Sequence, residues 1–121
     1  MAHIVIVDDS PTDVKVLTTL LEKAGHKVSS AADADQGIAL VREQKPDLVL
    51  MDVIMPGTNG FQATRTLSKD PDTASIPVVI VTTKSMETDR VWGMRQGARA
   101  FLTKPVSGQE LLDSIDKHLN G

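Results

Sequence analysis

The chain has no cysteine and no tyrosine, and only one tryptophan and two phenylalanines among its 121 residues. Without thiols there can be no disulfide, no thiolate nucleophile and no cysteine-type zinc site, and the composition suits a reducing compartment. So few rings leave no stacking platform for nucleic-acid bases. Positive charge is not in excess either. Thirteen basic residues against sixteen acidic ones give a net charge of −3, where a nucleic-acid binder usually carries a basic stripe. Long apolar runs are missing; the longest hold four or five residues, far short of a membrane span. Met1-Ala2-His3 leads straight into an apolar run, with no basic region and no cleavage site. No secretory leader is signalled, and the expected location is the cytoplasm.

What is present suits a folded core. Hydrophobic residues make up 40% of the chain, which argues against disorder. The length fits one domain, and no linker or low-complexity stretch interrupts it, so residues 1–121 are expected to form a single domain. The charge is uneven. Residues 1–83 hold seven basic and eleven acidic residues, and residues 84–121 hold six and five.

Short aliphatic runs alternate with helical periodicity five times. The runs are Ile4–Val7, Lys27–Ser30, Leu48–Met51, Val78–Val81 and Ala100–Leu102. That alternation predicts a parallel α/β sheet with helices on both faces. Runs one, three and four are continuously apolar, as strands buried on both faces must be; run two is short and polar, which suits an edge. Ser10-Pro11-Thr12-Asp13 offers an N-cap, a proline at the first helical position and an acid in the first turn. Val14, Leu17, Leu21 and Ala24 then recur at helical spacing, and Gly25 closes the helix. Asp33 with Gln36, Asn59 with Gln62 and Ser107 with Glu110 make three capping-box patterns ahead of apolar helical positions. Residues 70–77, with two prolines, form the clearest loop.

Four of these strands run into reactive polar residues: Asp8-Asp9, Asp52, Thr82 and Lys104. In an open parallel sheet, sites form at the carboxyl ends of strands. Three carboxylates, a hydroxyl and an ammonium at one edge suit a divalent cation and a phosphoryl group. Adjacent Asp8 and Asp9 repel, and a hard cation such as Mg²⁺, which takes oxygen ligands, is the usual remedy; the competing reading is a helix cap beside a solvated acid. Asp52 can be a nucleophile toward phosphorus or a plain turn residue. Lys104 can pair with phosphate as a point charge or be a surface lysine. Thr82 can donate to a phosphate oxygen or cap a turn.

The order Asp8-Asp9, Asp52, Thr82, Lys104-Pro105 resembles the response-regulator receiver domains of two-component signalling. The loop Met55-Pro56-Gly57…Gly60 and the run Gly97-Ala98…Phe101-Leu102-Thr103-Lys104-Pro105 extend the resemblance over essentially the whole chain. With no output domain in view, the chain is similar to stand-alone chemotaxis-type receivers, and in detail to the regulators of type IV pilus twitching motility. The resemblance implies a doubly wound, flavodoxin-like five-stranded sheet in the order 2-1-3-4-5. It implies that Asp52 accepts a phosphoryl group from a histidine kinase or its phosphotransfer domain. Asp9, Asp52 and the backbone carbonyl of Ile54 would ligate Mg²⁺, with Asp8 acting largely through water. Lys104 and Thr82 would contact the phosphoryl oxygens, and Phe101 would be the switch aromatic. The peptide before Pro105 would be cis, aiming Lys104 inward.

A monomer is expected, with a downstream motility or signalling protein as partner and neither nucleic acid nor membrane insertion. Departures from the family pattern lie at Thr83, where a small residue is common, and at Ile54 and Lys84, which occupy positions that tune phosphoryl hydrolysis. Ile54 has no polar group to orient water, and Lys84 could reach the phosphate. The alternative is a small Mg²⁺-dependent phosphohydrolase with an aspartyl nucleophile. Such enzymes commonly carry Asp-x-Asp after the first strand, whereas here the acids are adjacent. A flavin module would need a hydroxyl-rich phosphate loop and aromatics, and no P-loop is present.

Overall fold

The computed structural model describes residues 2–119. Five strands alternate with five helices: β1 His3–Val7, α1 Pro11–Lys23, β2 Lys27–Ala31, α2 Ala34–Gln44, β3 Leu48–Met51, α3 Gly60–Lys69, β4 Val78–Thr82, α4 Glu87–Arg95, β5 Ala100–Thr103 and α5 Gly108–Leu119. All strand pairings are parallel, and the sheet order is β2-β1-β3-β4-β5. This is the doubly wound arrangement expected from the sequence. Four strands extend one residue beyond the sequence reading, at His3, Ala31, Thr82 and Thr103. At β4 and β5 the extension has one cause: ladder pairing continues to Thr82 opposite Thr103, although both residues are polar.

The strand alternation divides the core into two layers. Ile4, Ile6, Leu48, Leu50, Val79 and Val81 face α1 and α5, where Leu17, Leu21, Leu111 and Ile115 cover them. Val5, Val7, Val49, Met51 and Val78 face α2 and α3, where Ile38, Val41, Ala63 and Leu67 cover them. A smaller cluster of Val53, Ile80 and Ala98, flanked by Phe61 and Phe101, lies near α4. The central strands are therefore buried on both faces, and the periodicity of 2 in the strands sorts the helices to their sides. β2 lies at one edge, as its polar residues require, and half-buried β5 at the other.

The caps follow the sequence. The side chains of Ser10, Asp33, Asn59 and Ser107 accept hydrogen bonds from the backbone N–H groups of Asp13, Gln36, Gln62 and Glu110 at 3.3, 2.8, 3.0 and 3.1 Å. Helix α4 is the exception. It begins after Met86, which supplies no side-chain cap, and its only buried residue is Gly93. No helix among the described residues is long and apolar enough to cross a membrane.

Candidate functional site

The carboxyl end of the sheet gathers the polar residues. Asp8 and Asp9 follow β1, Asp52 follows β3, Thr82 ends β4 and Lys104 follows β5. β1 and β3 are neighbours with Val7 level with Met51, so the residues that follow them come out side by side. One carboxylate oxygen from each of Asp8, Asp9 and Asp52 lies within 4.8 Å of the others. Asp8 and Asp52 are buried, at 3% and 7% exposure, and Asp9 faces solvent.

Each buried carboxylate is held from two directions. One Asp8 oxygen accepts from the Ser10 backbone N–H at 2.9 Å, and the other accepts from the Lys104 ammonium at 2.7 Å. One Asp52 oxygen accepts from the Ile54 N–H at 3.1 Å, and the other accepts from the same ammonium at 3.2 Å. The Ile54 side chain itself points to solvent. Lys104 is brought there by β5. Its backbone N–H donates to the Thr82 carbonyl at 2.7 Å, and the peptide to Pro105 is cis.

A third acid completes the environment of Lys104. The Asp13 carboxylate accepts from the ammonium at 2.8 Å. The sequence reading gave Asp13 only the role of a first-turn acid in α1. The signal was there: Asp13 lies in the first turn of α1, four residues after Asp9, at the end of the helix that abuts the site.

The electrostatics follow from burial and charge count. Burial pushes the Asp8 carboxyl above the usual carboxylate range, against the pull of hydrogen bonds from Lys104 and Ser10; the Asp52 charge adds to the rise. Burial alone would lower the Lys104 ammonium. The hydrogen bonds to Asp13 and Asp8, with the charges of Asp52 and Asp8, outweigh that and hold it above the usual lysine range. Lys104 pairs with three carboxylates and Asp9 adds a fourth beside them, which leaves the site with surplus negative charge. Hard oxygen donors at this spacing, with an uncompensated charge, fit a divalent cation of the Mg²⁺ class.

Thr82 is fully buried, and its hydroxyl accepts a long 3.5 Å contact from the Lys84 N–H. Thr83 is exposed. The Lys84 ammonium lies 3.8 Å from Asp89 on α4, so its nearest acid is not one of the strand-end carboxylates. Phe101 is half-buried in the cluster with Ile80 and Val53. A Cβ placed on Gly93 of α4 would come within 3.1 Å of the Phe101 ring, so α4 and β5 meet across that side chain.

Comparison with known proteins agrees with this geometry. Residues 4–116 match the response regulator receiver domain family. The chain is 60% identical to protein PilH of Pseudomonas aeruginosa over 121 residues, all of both chains. It is 41% identical to the response regulator PleD of Caulobacter vibrioides over 105 residues, covering 87% of this chain and 23% of that protein. Among solved structures, the Vibrio cholerae chemotaxis protein CheY4 superposes with a TM-score of 0.90 at 27% identity, covering 97% of this chain and 98% of the other. The receiver domain of a Pseudomonas aeruginosa sensor histidine kinase superposes at 0.92 with 26% identity, over 99% and 98% of the two chains; that structure has a magnesium ion coordinated in its active site cleft. None of these similarities favours the phosphohydrolase reading. A family match that runs from β1 into α5, over a sheet whose strand ends bring three aspartates and a lysine together, makes this chain a member of the response regulator receiver domain family.

Proposed function

We propose that the protein is a phosphorylation switch in which Asp52 accepts a phosphoryl group from the phosphohistidine of a histidine kinase or its phosphotransfer domain. The carrying observation is the setting of Asp52: a buried carboxylate at a strand end, fixed by the Ile54 N–H and the Lys104 ammonium beside two further acids. An Asp52 oxygen attacks phosphorus, and the P–N bond to the imidazole breaks. The electron pair of that bond returns to the ring nitrogen, leaving neutral or protonated histidine and an acyl phosphate on Asp52. Lys104 neutralises charge on the phosphoryl oxygens, and the Thr82 hydroxyl donates to one of them. Asp9, Asp52 and the Ile54 carbonyl would hold Mg²⁺, with Asp8 acting through water, and the ion would screen the repulsion between Asp52 and the incoming group. Hydrolysis of the acyl phosphate returns Asp52 to its carboxylate.

Phe101 and Thr82 form the output switch. When the hydroxyl moves toward the phosphoryl group, Phe101 follows into the space it leaves, and the surface of α4, β5 and α5 changes for a downstream partner. The protein acts in the cytoplasm as a monomer, with the receiver domain as its switching unit. Similarity to protein PilH and the resemblance to twitching-motility regulators support a role in controlling type IV pili. The test is intact mass after incubation with acetyl phosphate and Mg²⁺. One phosphoryl adduct is expected, sensitive to hydroxylamine, absent without Mg²⁺ and absent in Asp52→Ala. An adduct that persists in Asp52→Ala overturns the assignment.

A further inference from the structure

The Lys104 ammonium has three N–H donors, and the structure uses all of them: Asp8 at 2.7 Å, Asp13 at 2.8 Å and Asp52 at 3.2 Å. A phosphoryl oxygen on Asp52 needs one of these donors, so one bond must be surrendered. The three acceptors are not equally placed. The side chains of Asp8 and Asp52 are 2% and 9% exposed, and that of Asp13 is 42% exposed. A buried carboxylate that loses its cation carries a large desolvation penalty, whereas a half-exposed one is rehydrated. Of the two carboxylates that stay charged when Asp52 is esterified, Asp8 and Asp13, Asp13 is therefore the one that Lys104 can leave at less cost. Asp13 also lies outside the cluster of carboxylates that can share a metal, so its charge is not otherwise used.

We propose that Asp13 is a positioning residue that holds Lys104 in the resting state and competes with the phosphoryl group for its ammonium. This rests on the reading of Asp52 as the acceptor and deepens it. Asp13 keeps the ammonium drawn toward α1 and sets a threshold that the incoming group must overcome. It also adds a negative charge beside a site that must receive an anion. Both effects have the same sign: the unphosphorylated state is favoured while Asp13 is present. The expected size is that of a half-exposed ion pair, about two- to fivefold in affinity for a phosphoryl mimic.

The test is a beryllofluoride titration at saturating Mg²⁺, followed by ¹⁹F NMR of the bound mimic, in wild type, Asp13→Ala and Asp13→Asn. Asp13→Asn keeps the size and an acceptor oxygen while losing the charge, and it is judged by the same criteria should Asp13→Ala fail to fold. Tighter binding by about two- to fivefold is expected in Asp13→Ala, with a smaller gain in Asp13→Asn. A parallel measurement reads Lys104 itself: the rate of acylation by an amine-reactive reagent, by peptide mass, should rise at Lys104 and stay constant at Lys84. Unchanged or weaker mimic binding overturns the proposal. So does an unchanged Lys104 acylation rate, or a rise shared by Lys84, which would show general loosening. No mimic binding in wild type removes the acceptor reading itself, and the proposal with it.

Discussion

At the scale of single residues, the site depends on how closely α3 approaches Asp52. Gly60 is the first residue of α3. A Cβ there would land on the Asp52 carbonyl oxygen and come within 2.7 Å of the Val53 Cα. Those neighbours are backbone and have no rotamer in which to retreat. Gly60→Ala is expected to cost about 1–3 kcal/mol, as forced overpacking does, and to shift Asp52 relative to Lys104. Urea denaturation should report the lost stability, and acetyl phosphate labelling should report a slower Asp52. A variant with full stability and full labelling would show that α3 can slide without cost. The glycine itself is visible in the sequence within the loop pattern that follows Asp52, but the atom it must avoid is not. Asp13 teaches the same lesson. Its place in the first turn of α1 is legible, whereas its bond to Lys104 joins residues 91 positions apart and exists only once β5 has been added to the sheet.

At the scale of elements, the helices differ in how strongly the sequence specifies them. The helices α1, α2, α3 and α5 have N-cap side chains and an apolar stripe, and the structure uses both. Helix α4 has neither. Gly93 is its only buried residue, while Met86, Val91, Trp92 and Met94 remain exposed. Its position comes from the seat that Ile80 and Phe101 make for Gly93, not from its own pattern, which is why the sequence marks this helix least. Helix α5 is anchored by Leu111 and Ile115, and it ends on a group whose titration is coupled to folding. Burial, together with the nearby charges of Lys117 and Arg99, holds the His118 imidazole below its ordinary value of 6.5. The fold therefore prefers neutral His118, and the unfolded chain binds the proton more readily. The stability linked to this group is fully present above pH 6.5 and is lost as pH falls through the folded-state value. Thermal melts between pH 7.5 and 5 should show a steeper loss in wild type than in His118→Gln. Parallel curves for the two proteins would remove His118 as the source.

At the scale of the whole molecule, the acids and the exposed face of α4 are linked through β4 and β5. Thr82 and Lys104 meet through a backbone hydrogen bond, and Ile80 pairs with Phe101 two residues earlier on the same ladder. A ligand at Asp52 shifts the far surface only by its differential affinity for the two arrangements. Beryllofluoride should therefore raise affinity for the downstream partner in wild type and raise it much less in Thr82→Ala, as measured by calorimetry with each protein. Equal gains in both would show that the hydroxyl does not carry the coupling.

The amino-acid sequence alone determined the alternation of strands and helices, the buried centre and polar edge of the sheet, four helix caps and the residues that stand at the strand ends. These are local facts: periodicity, capping and turn chemistry act within a few residues. Tertiary structure decided which strand-end groups touch. It gave Lys104 three acidic partners, placed Lys84 beside Asp89, and set Phe101 against Gly93. The physical reason is that a parallel sheet orders its strands by crossover connections, so neighbours in space are distant in the chain. Burial and charge balance at such a meeting point are properties of the assembled edge, which no single segment contains.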